Sequence, residues 1–188
     1  MDKYIETIEL GTIQVDGELH ISDPCYRTNI WCAENVKLKP GTYHCFADIY
    51  DCGDWGTRIG KLYIKHESVK TYSKEDFLVL ELVSFVGVDS GQCGIFDKEY
   101  YEKYHNRETK EGDSLNTFWY DKVCKITLEK PMAGTVDGKG VVSESGYGDG
   151  SYDVWKASYK NEWVYLEITY IEDEPEDEWY EESDEEEV

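Results

Sequence analysis

Between Glu162 and Tyr170 the chain alternates without a break: Trp163, Tyr165, Glu167 and Thr169 fall on one side of an extended strand, and Val164, Leu166, Ile168 and Tyr170 on the other. Strand side chains point to opposite faces with period two, so the second set is the natural core face. A helix would scatter the same aliphatics around its circumference. Two further runs precede it, Gly140 to Ser145 and Ser151 to Tyr159, and Tyr159-Lys160-Asn161-Glu162 supplies the turn before the last one. Three successive strands in the C-terminal third commit the chain to a sheet that must bury one face.

The upstream half reads the same way. Residues 3–9 and 12–21 alternate as strands, with Val15-Asp16-Gly17-Glu18 as a hairpin turn, since Asp-Gly accepts the positive φ that tight turns need. Ser22-Asp23-Pro24 ends that ribbon, because proline cannot donate to a ladder. Residues 25–39 read as a connection. Pro40-Gly41 opens a strand over Thr42 to Tyr50, the segment 51–56 is a loop, and Arg58 to His66 returns as the second arm of a hairpin. Phe77 to Val88 is apolar on both faces and predicts a central strand covered on both sides. Gly91 to Asp97 follows as a strand. Asp97 to Tyr104 has an acidic cap and predicts a short helix. Residues 105–114 predict a loop, and 115–128 a helix followed by a strand. The class is mostly β: a sandwich or strongly curved antiparallel sheet with one or two short helices.

Charge divides the chain. The segment 172–188 holds 12 of the 41 acidic residues and none of the 19 basic ones, leaving 29 acids against 19 bases before it, a net of −10 within the total of −22. Such a tail cannot bury enough apolar area to offset its ordering entropy, which predicts one domain over 1–171 and a disordered acidic tail over 172–188. Both parts repel phosphate, which argues against direct nucleic-acid binding and for a protein partner with a basic surface. The longest apolar stretch is interrupted by Glu81 and Ser84, so no membrane span is expected. The polar start carries no secretory pattern, so a cytoplasmic location is the expectation.

That compartment bears on six cysteines, Cys25, Cys32, Cys45, Cys52, Cys93 and Cys124, which are expected as buried reduced thiols. The first four are spaced by 7, 13 and 7 residues, unlike paired zinc knuckles, so no metal or other cofactor is expected, even allowing for His20 or His44.

Chemistry-bearing candidates are few. Gly146-Tyr147-Gly148-Asp149-Gly150 is too rich in glycine for a two-residue hairpin. It reads either as a tight corner capped by Asp149 or as a loop facing a ligand. It lacks the lysine and following helix of a phosphate loop. Asp23, Asp89 and Asp97 stand at strand ends and could converge with Asp149 on a cation or a water, or serve as separate turn acids. Asp48, Asp51 and Asp54 do not complete a calcium loop. Arg58 suits a carboxylate clamp or a core ion pair. The histidines (His20, His44, His66, His105) belong to no nucleophile signature, so no catalytic residue is assigned.

Taken in order, Asp23-Pro24, Pro40-Gly41-Thr42-Tyr43, Arg58, Val88-Asp89-Ser90-Gly91, Asp97 and Ser145-Gly146-Tyr147-Gly148-Asp149-Gly150-Ser151-Tyr152 resemble the pattern of an uncharacterised bacterial and phage family, a domain of unknown function, over about residues 10–171. Asp153 stands where that pattern has proline. The resemblance implies a mostly-β fold and no assigned chemistry.

Two functions fit these residues. The first is a non-enzymatic binding protein that engages another protein through an acidic, aromatic-rich surface. Its partner would be a defence, toxin or nucleic-acid-handling component. The second is a hydrolase or small-ligand or metal binder using Asp23, Asp89, Asp97 and Asp149 beside the glycine loop. Asp23, Arg58, Asp89, Asp97, Gly148, Asp149, Gly150 and Tyr152 are the candidate ligand-facing residues.

Overall fold

The computed structural model describes residues 2–69, 80–105 and 117–172. Over these the chain forms eleven strands and two helices: β1 (Lys3–Val15), β2 (Glu18–Ser22), β3 (Ala33–Lys37), β4 (Gly41–Asp51), β5 (Thr57–His66), β6 (Leu80–Val88), β7 (Gln92–Asp97), α1 (Lys98–His105), α2 (Thr117–Leu128), β8 (Ala133–Val136), β9 (Gly140–Glu144), β10 (Gly150–Tyr159) and β11 (Glu162–Thr169). A single 3-10 turn, Gly53–Trp55, joins β4 to β5. The predicted loop at 105–114, from residue 106, and the acidic tail, from residue 173, lie outside the described residues.

The strands form two antiparallel sheets, one of six in the order β1-β4-β5-β11-β10-β6 and one of five in the order β3-β2-β7-β9-β8. Their facing sides make the core, with Ile13, Leu62, Ile64, Val86, Val154, Leu166 and Ile168 from the larger sheet against Leu19, Ile21, Ile95 and Val141 from the smaller. Val164, Leu166, Ile168 and Tyr170 are all buried, as the alternation of the last strand requires. The helices pack on the other side of the five-stranded sheet, against β2, β7, β8 and β9. A second cluster fills that interface: Phe96, Tyr101, Trp119, Val123, Val136 and Val142. The order of layers is helices, small sheet, core, large sheet.

Two hairpins match the sequence reading. β4 pairs with β5 from Tyr43↔His66 to Asp51↔Thr57. β10 pairs with β11 down to Tyr159↔Glu162, where Lys160 and Asn161 both take positive φ, the signature of a two-residue turn. Asp97 also caps α1 as expected, its Oδ1 accepting the Tyr100 amide at 3.2 Å.

Four readings are corrected. The Asp16-Gly17 turn is not a hairpin: β1 pairs with β4 in one sheet, while β2 pairs with β3 and β7 in the other. Gly17, at φ 116°, instead carries the chain across the sandwich. The supposed connection 25–39 contains β3, an edge strand paired only with β2, whose sequence Ala-Glu-Asn-Val-Lys has little intrinsic β preference. The segment 117–128 is helix throughout, because Trp119 and Val123, four apart, dock together on the small sheet. Finally, β6 is not central. It is the outermost strand of the large sheet, and Leu80, Leu82 and Phe85 are exposed.

Candidate functional site

The predicted carboxylates do not gather around one cleft. Asp23 is fully buried, and both its oxygens are occupied: Oδ1 accepts the Cys25 amide at 2.8 Å and the Ser90 hydroxyl at 2.6 Å, and Oδ2 the amides of Asp89 at 2.9 Å and Ser90 at 2.7 Å. It is a staple between the turn after β2 and the turn after β6. Asp89, on the surface of that joint, accepts the Tyr26 hydroxyl. Tyr101 locks the turn from below, donating to the Tyr26 carbonyl at 2.6 Å.

Asp97 stands elsewhere. The register pairs it with Leu19 and pairs Gly94 with Ser22, so Asp97 and Asp23 flank opposite ends of β2. There Asp97 accepts the Asp16 amide at 3.1 Å besides capping α1. Arg58 faces Glu144 across the sandwich at 3.7 Å, and the Ile59 amide donates to the same carboxylate at 3.2 Å. Burial raises the Glu144 pKa against the opposing pull of that amide and of Arg58.

The glycine-rich segment crosses from β9 in the small sheet to β10 in the large one. Gly146 and Gly148 take positive φ, at 56° and 109°. The Ser145 hydroxyl donates to the Gly148 carbonyl at 2.9 Å, and the Tyr152 hydroxyl reaches the carbonyls of Ser145 and Gly148 at 3.0 and 2.8 Å. Gly150 leaves room for that hydroxyl, since a Cβ there would lie 3.2 Å from it. Asp149 is exposed at the tip. Gly148, Gly150 and Tyr152 therefore build a braced corner, with Ser145 and Tyr152 in the bracing role expected of Asp149.

What the fold does assemble is a face. Cross-strand pairing places Phe46 opposite Tyr63, Tyr63 opposite Glu167, Glu167 opposite Trp155, and Trp155 opposite Leu82. These five side chains form one lateral row on the outer side of the large sheet, since their strand neighbours Cys45, Leu62, Leu166 and Val154 lie in the core and Val83, beside Leu82, packs against it. Phe46 stacks on Tyr63 with ring centroids 5.2 Å apart, and Tyr63 contacts Tyr165 at 5.7 Å. Glu167 is buried among them and accepts the Tyr165 hydroxyl. Burial, followed by the field of this carboxylate, pushes the Tyr165 hydroxyl well above the ordinary phenol range.

At the edge strand this face turns apolar. Phe85 pairs with Asp153, and Leu82 with Trp155. Leu82 is 52% exposed and Phe85 59%. The connection between β2 and β3 extends the surface: the Trp31 carbonyl accepts the Gly87 amide at 2.8 Å, and the Trp31 ring, 61% exposed, lies over Gly87. Trp31, Ser84 and Phe85 line a cavity of about 320 Å³ together with Asn29, Cys32 and Glu34. Among the described residues, this is the only backbone bond the free side of β6 receives.

None of these surface residues was singled out in the sequence. The signal was the run read as a buried strand: Phe85 is out of phase with Val86 and Val88, whereas Leu82 shares their phase and is turned outward by the register shift between Ser84 and Leu82. Apolar residues on both faces mean a second buried layer or an open sticky one, and only the strand order separates the two.

Fold and surface together define a two-sheet antiparallel sandwich with helices on its small sheet and an aromatic, acid-flanked outer face on its large one. The chain belongs to DUF4241, a family of proteins of unknown function, whose family model matches residues 17–166. No curated protein and no solved structure matches it. No helix among the described residues is long and apolar enough to cross a membrane.

Proposed function

We propose that this protein binds another protein through the outer face and free edge of its six-stranded sheet. The observation that carries the reading is the row Phe46–Tyr63–Glu167–Trp155–Leu82, which ends on an exposed apolar edge strand beside Trp31 and Phe85. Aromatic side chains supply large contact area at low entropic cost and are favoured as interface anchors. An edge strand with free amides and carbonyls invites an extended segment to add alongside it.

Charge selects the partner. With a net charge of −22, and with Glu81, Asp153, Glu167 and Asp48 on or beside the face, the complement is a segment bearing lysine or arginine between apolar residues. A cytosolic protein that grips nucleic acid, or a toxin or defence component of a bacterium or phage, has a surface of that kind. The dispersal of Asp23, Asp97 and Asp149 supports binding over hydrolysis.

The test is capture from native cytosol with the full chain as bait, beside a Leu82→Ser/Phe85→Ser variant and a chain ending at Glu172. A partner retained by the parent and lost with the double variant, at unchanged melting temperature, supports the reading. Loss only on removing the tail moves the interface to the acidic segment. Equal capture by all three sinks the outer-face assignment.

A further inference from the structure

His20 is 1% exposed, and its Nε2 is buried without a hydrogen-bond partner among the described residues. The ring stacks on Tyr101 with centroids 4.1 Å apart, which fixes its plane. A register shift lies between the pairs Leu19↔Val36 and Ile21↔Ala33 and turns His20 toward the start of β3. There its Nδ1 is 3.5 Å from Glu34 Oε1, and His20, Cys32 and Glu34 each bring a ligand atom within 4.8 Å of the other two.

We propose that His20, Cys32 and Glu34 are a three-ligand site for a divalent transition-metal ion of the zinc class. Its fourth coordination position would open to the cavity lined by Trp31, Ser84 and Phe85. One imidazole nitrogen, one thiolate and one carboxylate are a donor set that zinc accepts. Zinc–ligand bonds of about 2.0–2.3 Å put ligand atoms roughly 3.3–3.8 Å apart in a tetrahedron, so the present spread needs to contract by about 1 Å. Cys32 and Glu34 are both partly exposed at the sheet edge, where rotamer changes suffice.

The Asn29 and Ile30 amides lie against the Cys32 sulfur. A bound cation displaces the thiol proton. The Asn29 amide also donates to Glu34 Oε1 at 2.7 Å and orients the carboxylate. The nearby Lys98 ammonium is held by Glu18 at 3.1 Å and Asn35 at 2.6 Å. Sequence spacing hid this set because the histidine lies on β2, whereas Cys32 precedes β3 and Glu34 lies on it.

The site goes beyond protein binding and is independent of it. The experiment titrates zinc, and cobalt(II) as a spectroscopic probe, into the full chain after reduction and chelation. Expected are saturation at one equivalent, a thiolate-to-cobalt charge-transfer band, and a rise in melting temperature with zinc. Cys32→Ser should abolish the band, and Cys32→Ser and Glu34→Gln should each weaken zinc binding by about tenfold or more. Both positions are at the edge, so these variants stay informative even if His20→Gln fails to fold. Cys124→Ser and His44→Ala should leave binding intact; His44 pairs with Glu9 on the surface and is the alternative cation site. No saturation at one equivalent, or a band that survives Cys32→Ser, overturns the proposal.

Discussion

The Asp23 carboxylate takes both the backbone amide and the hydroxyl of Ser90, at 2.7 and 2.6 Å, with no exposure of its own. This pair ties the turn after β2, in the small sheet, to the turn after β6, in the large one, and so helps to hold the edge where Trp31 meets β6. Both oxygens face only donors, so the isosteric amide cannot serve. Asp23→Asn must turn its amino group toward the Cys25 amide or toward those of Asp89 and Ser90. We predict a loss of about 2 kcal/mol for Asp23→Asn and about 1 kcal/mol for Ser90→Ala, with the double variant less than additive, measured by urea unfolding. Additive effects would mean that the two residues act separately.

The edge position of β6 has a direct check. Leu82→Ser and Phe85→Ser should each change stability by no more than about 0.5 kcal/mol, as exposed positions do. Leu166→Ala, beneath the same sheet, should cost about 2–5 kcal/mol. A loss above 2 kcal/mol for Leu82→Ser would restore the doubly covered strand that the sequence suggests.

At the glycine corner, Tyr152→Phe removes the hydroxyl shared by the Ser145 and Gly148 carbonyls and should cost about 1 kcal/mol. Asp149→Ala, at the exposed tip, should stay within about 0.5 kcal/mol. Thermal melts of the two variants side by side decide which residue braces the turn.

Asp137, between β8 and β9, accepts Lys122 of α2 at 2.8 Å and the Tyr100 hydroxyl of α1 at 2.8 Å, and these bonds, Lys122 first, hold its pKa below the ordinary value of 3.8. A depressed carboxyl pKa means that the unfolded chain binds the proton more readily. The stabilisation is therefore complete above pH 3.8 and is lost as pH falls through the lower folded value. Asp137→Asn, which tolerates the φ of 50° at this position, should lower the melting temperature at pH 7, and the gap to the parent should close as pH drops below 3.8. A gap that is independent of pH would assign the effect to packing.

Strand periodicity is local, and local order is what the sequence settled. The core face of β11, the β4–β5 and β10–β11 hairpins and the Asp97 cap followed from residues within reach of one another along the chain. So did the choice of a mostly-β sandwich, because that many half-apolar strands must bury one side. Strand partners hundreds of atoms apart in the chain were decided only in the fold. Asp16-Gly17 is compatible with a hairpin or with a crossing, and the pairing of β1 with β4 chose the crossing. The apolar run of β6 satisfies either a central or an edge strand, and its place beside β10 left Leu82 and Phe85 outside. Phe46, Tyr63, Trp155 and Leu82 lie far apart in sequence and form one row only because antiparallel register, with a shift beside Leu82, brings them side by side. His20 meets Cys32 and Glu34 for the same reason, through a register shift between two strands that local propensity cannot encode.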